Sequence, residues 1–437
     1  MLAKLFKIAA ILSSLLAVRA VAASPEVLSW TDCVREAAVG NPQLHAAQAD
    51  VRRAQAQVGA ARSDFFPTLT PFTGYNLSNS SSFRTSPNPN DPTVDVDIGA
   101  RHQFEYGVNL NQNIFSGFAT KSAYQGSKAE VRQFQAAYDA IRAQVSFDLK
   151  TAFARLLFAQ EQLGVVKKIV ERRRENVRFV ELRFDVGREN KGSVLRNQAL
   201  LEQAEFDLAQ TQRSVRVAQR ELAKALGRNY ETAYENLRVK GSFDTDFPKQ
   251  APDFSLLTYE HPDHRQGEAQ VGGAKADVGV AKANYYPSID ADASVSQEKL
   301  SSRPFETLWS VGANLNYPFA TGGGDIYQVK AAQAERRRVE HNLRSTDNDV
   351  GLRLRQAYTD FKDAVQNIAV QEKFLQSAAA RAEIGRSQYA NGLISYQDWD
   401  LVENDLINSQ RTILETRRDA LIAEANWELA QGKGAIP

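Results

Sequence analysis

The chain contains one long unit twice, and this duplication limits the folds available to it. Early motifs match at an offset of 220 residues, and later motifs match at an offset of 205. Only two copies of so long a unit predict duplication of a half-protein rather than a solenoid. The matched segments are Asn41-Pro42 and His261-Pro262, Phe65-Phe66-Pro67 and Tyr285-Tyr286-Pro287, Gly107-Val108-Asn109-Leu110-Asn111 and Gly312-Ala313-Asn314-Leu315-Asn316, and Phe184-Asp185-Val186-Gly187 and Tyr389-Ala390-Asn391-Gly392.

Each half contains two segments in which apolar and polar residues alternate, a pattern that is typical of β-strands. We predict strands at about 68–84, 98–115, 288–300 and 306–319. A soluble sheet with one wet face is the general alternative. Two features favour a membrane barrel: the alternating segments are about 10–12 residues long, enough to cross a membrane at a tilt, and aromatic residues mark their ends. The clearest alternating sets are Phe104, Tyr106, Val108, Leu110 and Ile114, and Trp309, Val311, Ala313, Leu315, Tyr317 and Phe319.

The remaining sequence predicts long helices that pack as coiled coils, because apolar residues recur every seven positions. A helix from about Thr120 to Val186 would be about 100 Å long at 1.5 Å per residue. A second seam in the first half is interrupted by Arg173. The main seams are Leu149, Leu156, Leu163, Val170, Val177 and Phe184 in the first half, and Leu354, Phe361, Ile368, Leu375, Ala382 and Tyr389 in the second.

The first 22 residues predict an export signal. Lys4 and Lys7 precede the apolar run Ile8–Val18, and Ala20-Val21-Ala22 supplies a small-x-small cleavage pattern. An N-terminal core helix is the alternative. We expect cleavage after Ala22.

Composition excludes several classes of function. The chain has 437 residues, with 53 Lys and Arg against 52 Asp and Glu, so its net charge of +1 argues against nucleic-acid binding. Cys33 is the single cysteine, which rules out a disulfide within the chain and a cysteine metal cluster. His261 and His264 lack a further ligand at metal-binding spacing, and we predict no metal and no cofactor.

Two charge runs lie within the predicted helices, Glu171-Arg172-Arg173-Arg174-Glu175 and Glu335-Arg336-Arg337-Arg338. Such runs are most often a solvated helix face paired with acids one turn away. A role in lining a channel is the alternative.

In the order, spacing and duplication of its motifs, the mature chain resembles the TolC-like outer-membrane efflux protein family. The motifs that carry the resemblance include Asn41-Pro42, the two aromatic-aromatic-proline triplets, Asn113-Ile114-Phe115-Ser116-Gly117 and Arg183-Phe184-Asp185-Val186-Gly187. The resemblance implies an α+β membrane protein with duplicated half-repeats, four barrel strands per chain, a trimeric 12-stranded β-barrel and a long periplasmic α-helical coiled-coil barrel. Four strands cannot close a barrel alone, so more than one chain is needed.

The resemblance divides the chain into a signal peptide (1–22), a first repeat (23–227), an equatorial or linker segment (228–256) and a second repeat (257–437). It implies a passive exit duct in the outer membrane of a Gram-negative bacterium, extending into the periplasm. The implied partners are two further copies of the chain, outer-membrane lipid, a periplasmic adaptor protein and an inner-membrane pump of RND or ABC type. The exported substrates of such ducts are drugs or solvents, metals, or proteins in type I secretion.

The resemblance also implies two kinds of functional residue. The adaptor would dock at two helix reversals, Val186-Gly187-Arg188 and Asn391-Gly392-Leu393. The periplasmic gate would use Asp398 as a ring of carboxylates, with Tyr389 in the closing network. The sequence departs from the family at Leu401, Ile394 and Ser193, which replace a second ring aspartate, an arginine and a partner aspartate. We therefore expect a thinner network, or one rebuilt with Arg386, Arg188 or Arg196. An ordinary carboxylate near a helix N-terminus is the alternative for Asp398.

Other functions explain fewer of these features. A soluble periplasmic coiled-coil scaffold or tether accounts for the heptads but not for the four barrel-like strands. A hydrolase is disfavoured because the sequence has no nucleophile elbow, no His-Glu-x-x-His and no phosphate-cradling loop. We predict that the chain is not an enzyme.

Overall fold

The computed structural model describes residues 26–84, 94–231, 234, 236–248, 250–300 and 304–437, with residues 80–84 and 94–101 described by their backbone alone. The predicted signal peptide lies outside the described residues. The first half contains β1 (Glu26–Ser29), α1 (Trp30–Gly40), α2 (Pro42–Ser63), β2 (Thr68–Arg84), β3 (Val94–Ser116), α3 (Ala119–Asp185) and α4 (Lys191–Ala225). The second contains β4 (Leu237–Lys240), α5 (Phe254–Glu260), α6 (Pro262–Ala283), β5 (Ser288–Leu300), β6 (Glu306–Asn316), α7 (Gly324–Ala390) and α8 (Tyr396–Ala430).

The long helices follow the heptad pattern closely. Helices α3 and α7 each have 67 residues, and their return helices α4 and α8 each have 35. Seam residues of both halves, such as Leu149, Leu156, Leu354 and Phe361, are fully buried. In the part of the chain that the structure describes, no helix combines the length and the hydropathy needed to cross a membrane.

The duplication is visible in the backbone as well as in the sequence. Positive φ angles occur in pairs at the offset of 205: Gly117 and Gly322, Gly187 and Gly392, and Gly227 and Gly432. At the last two pairs the glycine N–H bonds to a carbonyl three residues back, and the next N–H bonds to a carbonyl five back. This is the Schellman ending of a helix, for which glycine is preferred because it has no Cβ. Both repeats therefore end their long helices in the same way.

Strands β2, β3, β5 and β6 form one antiparallel sheet in that order. Among the side chains that the structure describes, the register places most apolar residues of the four strands on one face: Leu69 lies opposite Leu110, Val108 opposite Val295, and Ala293 opposite Val311. Phe72 and Leu300 are exceptions, because they lie opposite Gly107 and Gln103 on the other face. The other face carries polar pairs, such as Asn109 opposite Ser294. Two strand limits differ from the prediction, because β3 begins at Val94 and β6 ends at Asn316, before Tyr317 and Phe319.

The regular alternation predicted for β3 is interrupted at Ile114. The register of β3 against β5 shifts between Asn113 and Phe115, so Phe115 lies opposite Ile289 and Ile114 has no opposite residue. A β-bulge adds one residue to one strand and changes which face the following side chains take.

The chain packs as two compact units, each of which combines parts of both repeats. Of the described residues, one unit takes those within 26–47, 138–261 and 349–437, and the other takes those within 48–137 and 262–348. The first unit has its main core around Leu28, Cys33, Leu149, Leu222 and Ile436. Burial raises the pKa of the Cys33 thiol to about 12, so this cysteine stays protonated and serves as a small core residue.

Segment 228–256 has more structure than its weak periodicity indicates. It contains β4, which pairs in parallel with β1. At the start of the segment, Arg228 donates hydrogen bonds to both Glu26 and Glu36, and the bonds to Glu26 lower the pKa of that carboxyl. The segment is thus fastened to the beginning of the described chain.

Candidate functional site

The two helix reversals predicted as docking tips are both exposed. Val186 is 63% exposed and Leu393 is 74% exposed, and the residues beside them are exposed too. Gly187 and Gly392 have φ angles of 73° and 77°, and a Cβ added at either position would meet no atom within 4 Å, so backbone conformation alone requires glycine here. Each reversal therefore presents a bare turn with one large apolar side chain.

The helix that follows each reversal begins with a side-chain cap at the same repeat position. Asn190 accepts a hydrogen bond from the backbone N–H of Ser193 (3.0 Å), and Ser395 accepts one from the backbone N–H of Asp398 (3.2 Å). The Asp398 carboxylate in turn accepts a bond from the Ser395 hydroxyl (2.6 Å), and the two residues form a capping box. Asp398 is exposed and has this local role whatever else it does.

Tyr389 lies at the centre of an aromatic cluster just before the second reversal. It is 1% exposed, and its ring stacks on Trp399 with centroids 4.6 Å apart and planes 7° apart. Phe179 and Tyr396 meet the same pair edge-on. The guanidinium of Arg183 lies 4.5 Å from the centroid of the Tyr389 ring and donates to the Tyr389 carbonyl oxygen (2.8 Å). The cluster joins α3 to α7 and α8.

A hydrogen bond from Tyr389 to Glu189 connects the second reversal to the first. The Tyr389 hydroxyl donates to Glu189 Oε2 at 2.6 Å. Burial raises the pKa of Tyr389, and the bond to Glu189 raises it further, so the hydroxyl remains a donor at neutral pH. Although burial opposes it, the bonds from Tyr389 and from the backbone N–H of Asn190 lower the pKa of Glu189, which keeps the carboxylate charged. The pair is therefore a charge-assisted hydrogen bond.

A second set of contacts joins the first helical hairpin (α3 and α4) to the second (α7 and α8) through ion pairs to two buried carboxylates. Arg172 binds the buried carboxylate of Glu403 through two nitrogens, at 2.6 and 2.9 Å. Asp400 is 7% exposed by its side chain and accepts from Arg196 at 2.9 Å, while Arg173 Nη1 lies 3.8 Å from its other oxygen. Burial lowers the pKa of Arg173 despite these carboxylates. The first hairpin supplies the cations here and the second supplies the anions.

The interpretation of the run Glu171–Glu175 as a solvated helix face was wrong for Arg172 and Arg173. Arg173 lies seven residues from Val166 and Val180, so it occupies a seam position and is turned toward the neighbouring helices. The buried acids of α8 are the reason that a seam position can hold an arginine. The second run behaves as expected, because Arg338 pairs with Glu335 on an exposed surface.

The three arginines expected to rebuild the closing network have different surroundings. Arg196 contacts Asp400, as described above. Arg386 donates to Glu175 at 3.2 Å, between exposed side chains. Arg188 lines a cleft of about 870 Å³ next to both reversals, together with Arg183, Glu189, Tyr396 and Asp400. Glu189 and Arg183 were not predicted as parts of this network, because neither belongs to a periodic pattern or to a gate position of the family.

Comparisons with known proteins agree with this architecture. A sequence profile described as outer membrane efflux protein matches residues 33–228 and 255–433. The chain is 22% identical over 414 residues to the probable outer membrane lipoprotein SilC of Salmonella typhimurium, covering 92% of this chain and 85% of that protein. It is 23% identical over 415 residues to the cation efflux system protein CusC of Escherichia coli strain K12, covering 92% and 86%.

Two solved structures share the fold. The Campylobacter jejuni CmeC outer membrane channel matches with a TM-score of 0.80 and 19% identity, covering 92% of this chain and 85% of that one. The open state of the Neisseria gonorrhoeae MtrE outer membrane channel matches with a TM-score of 0.75 and 19% identity, covering 92% and 88%.

Proposed function

Because this chain belongs to the outer membrane efflux protein family, and is an exit duct in the outer membrane of a Gram-negative bacterium, we propose that three copies assemble to form the duct. In this proposal the duct extends into the periplasm and connects through a periplasmic adaptor to an inner-membrane pump of RND or ABC type. The chain itself is passive and has no enzymatic activity, since the pump supplies the energy.

The four-stranded sheet is the observation that supports assembly of more than one chain, and the resemblance to the TolC-like family supports the number three. One face of its four strands is apolar and the other is polar, as a barrel wall between lipid and water requires. Within the described residues β2 and β6 each pair on one side only, so both edges of the sheet are open. Open edges do not occur in the hydrocarbon core, and four strands are too few to close a barrel. Three copies joined edge to edge give the twelve strands proposed.

Charge substitutions on neighbouring positions of β3 test this arrangement. Val108 lies on the apolar face opposite Val295, and Asn109 lies on the polar face opposite Ser294. Val108→Lys should destabilise the assembled protein by about 2–4 kcal/mol near the bilayer midplane, whereas Asn109→Lys should be mild. Unfolding in lipid vesicles measures both. Equal tolerance at the two positions would contradict the proposed wall.

We propose that the two exposed reversals dock the adaptor. Val186, Gly187 and Arg188 would form one tip, and Asn391, Gly392 and Leu393 the other. Val186→Asp with Leu393→Asp should abolish adaptor pull-down and leave the trimer intact, because both side chains are exposed and support no core. Leu256→Asp is the matched control, since Leu256 is 55% exposed in α5. Unchanged pull-down by the double variant would refute the docking site.

We propose that the gate combines Asp398, Tyr389 and Arg386. Threefold symmetry would bring three Asp398 carboxylates around one axis, where they would attract cations. A trivalent metal ammine added from the periplasmic side should block the unchanged channel, and Asp398→Asn should lose the block. Asp405→Asn is the control, because that exposed carboxylate pairs with Arg381. Equal block of the channel in the unchanged protein and in Asp398→Asn would rule out the ring.

A further inference from the structure

Exposed aromatic side chains lie at one end of the four strands of the sheet, where the strands meet helices. Because the sheet is antiparallel, β2 and β5 begin at this end and β3 and β6 finish there. All four junctions carry large exposed rings, and Phe319 is 90% exposed. We call this set the junction belt: Phe65, Phe66, Phe118, Tyr286, Tyr317 and Phe319.

Phe118 occupies a backbone conformation that a phenylalanine rarely adopts. Its φ is 71°, and the residue at the same position of the second repeat is Gly323, with a φ of 82°. The turn is therefore the same in both repeats, but one of them carries a bulky ring at strained geometry. The ring is exposed on one side and meets Phe115 and Tyr286 edge-on, with centroids 5.1 and 5.6 Å away. Strain of this kind persists where a side chain is needed at that place.

Exposed cations lie a few residues from the rings in the chain. Arg62 is in the last turn of α2, Lys282 is in the last turn of α6 at the equivalent repeat position, and Lys121 is in the first turn of α3. The eight residues outside each of the four strand ends contain these three cations and one acid, Asp64. The acids inside β5 at this end, Asp290 and Asp292, lie on the polar face of the sheet, opposite Asn113 and Asn111. Among the described residues, none of the three cations has an ion-pair partner, so their charge is available to an outside group.

We propose that the junction belt binds the headgroups of anionic phospholipids in the periplasmic leaflet and so fixes the depth of the duct in the outer membrane. The proposal rests on the barrel proposed above. The belt is continuous with the apolar face of the sheet, which would face the acyl chains. Aromatic rings favour the headgroup level of a bilayer, and cations next to them attract lipid phosphate. The helices extend into the periplasm, which puts the belt on that side.

Phosphatidylglycerol titration of the trimer, in nanodiscs that otherwise contain phosphatidylcholine, tests the proposal. Native mass spectrometry counts the bound phosphatidylglycerol. Removing both repeat-related cations, Arg62→Gln with Lys282→Gln, should weaken binding by roughly 25-fold, at about fivefold for each cation. Lys224→Gln is the matched control, because Lys224 is also an exposed cation in the last turn of a helix. Its binding should stay unchanged.

Phe118→Gly separates lipid binding from a purely structural role of the ring. Glycine adopts a positive φ without strain, so the unfolding midpoint in detergent should stay the same or rise. The increase of that midpoint on addition of phosphatidylglycerol should become smaller. Equal losses in detergent and in lipid would mean that the ring only packs, which overturns its part in the proposal.

The mass of the trimer and the conductance of the same samples distinguish failure of the lipid site from failure of the proposed duct. Trimeric, conducting variants that bind phosphatidylglycerol as the unchanged protein does would refute the lipid site and leave the duct standing. A monomeric chain in nanodiscs would refute both.

Discussion

Replacing Tyr389 by phenylalanine should open the channel by removing one hydrogen bond between the two reversals. The ring would keep its stack on Trp399 and its contact with Arg183, and only the 2.6 Å bond to Glu189 would be lost. A hydrogen bond to a charged group contributes about 1.5–3 kcal/mol. Glu189 is half-buried, and water competes for its oxygens, so the lower end of this range applies. A loss of about 1.5 kcal/mol shifts the closed-to-open equilibrium by roughly tenfold in each chain.

Single-channel recording in a planar bilayer measures this shift as open probability. Tyr358→Phe is the control, because the Tyr358 ring packs against Phe254 and Trp427 in a different cluster of the same unit. We expect Tyr389→Phe and Glu189→Gln to raise the open probability to a similar extent, and the double variant to add little to either. If Tyr389→Phe has the same open probability as the control Tyr358→Phe, then the bond to Glu189 is not part of the gate.

Three further outcomes follow from the contacts of the first unit. The lowered pKa of Glu189 means that its stabilisation is complete above its usual value of 4.5 and is lost as the pH falls through the lowered value. The free energy of unfolding should therefore be lower for Glu189→Gln than for the unchanged protein at about pH 6. This difference should be smaller at about pH 3. Asp400→Asn should lower the free energy of unfolding, measured by urea denaturation, by about 3–5 kcal/mol, because it removes the carboxylate that lies 3.8 Å from the buried Arg173. Gly227→Ala should be far more destabilising in the same assay than Gly187→Ala, because its Cβ would meet the Gly40 carbonyl oxygen whereas Gly187 faces open space.

Periodicity predicted the regular elements well because each long element repeats its signal many times. The helix expected from Thr120 to Val186 spans Ala119–Asp185, and the turn glycines at positions 187 and 392 have the positive φ that a helix reversal needs. The apolar face of the sheet also followed from alternation. Membership in the outer membrane efflux protein family is confirmed, as is the role of an outer-membrane exit duct.

The features that differ from the predictions are ones that no local sequence pattern marks. A single extra residue in β3 moved Ile114 out of the alternation, and no pattern in the sequence marks a bulge. The strands β1 and β4 have four residues each, too few to show a period. Arg173 was placed in solvent because its partners, Asp400 and Glu403, are more than 200 residues away in the chain. Pairing across that distance depends on how the hairpins pack, which a linear pattern does not contain.

The mass of the purified protein in detergent tests the central claim most directly. Light scattering with the detergent contribution subtracted gives the number of chains in each particle. The open edges of β2 and β6 require partners, and the proposed barrel of twelve strands requires three chains. We expect a mass of three mature chains at every concentration that keeps the protein folded. A folded monomer with an intact four-stranded sheet would contradict the account, because no duct can be closed from a single copy.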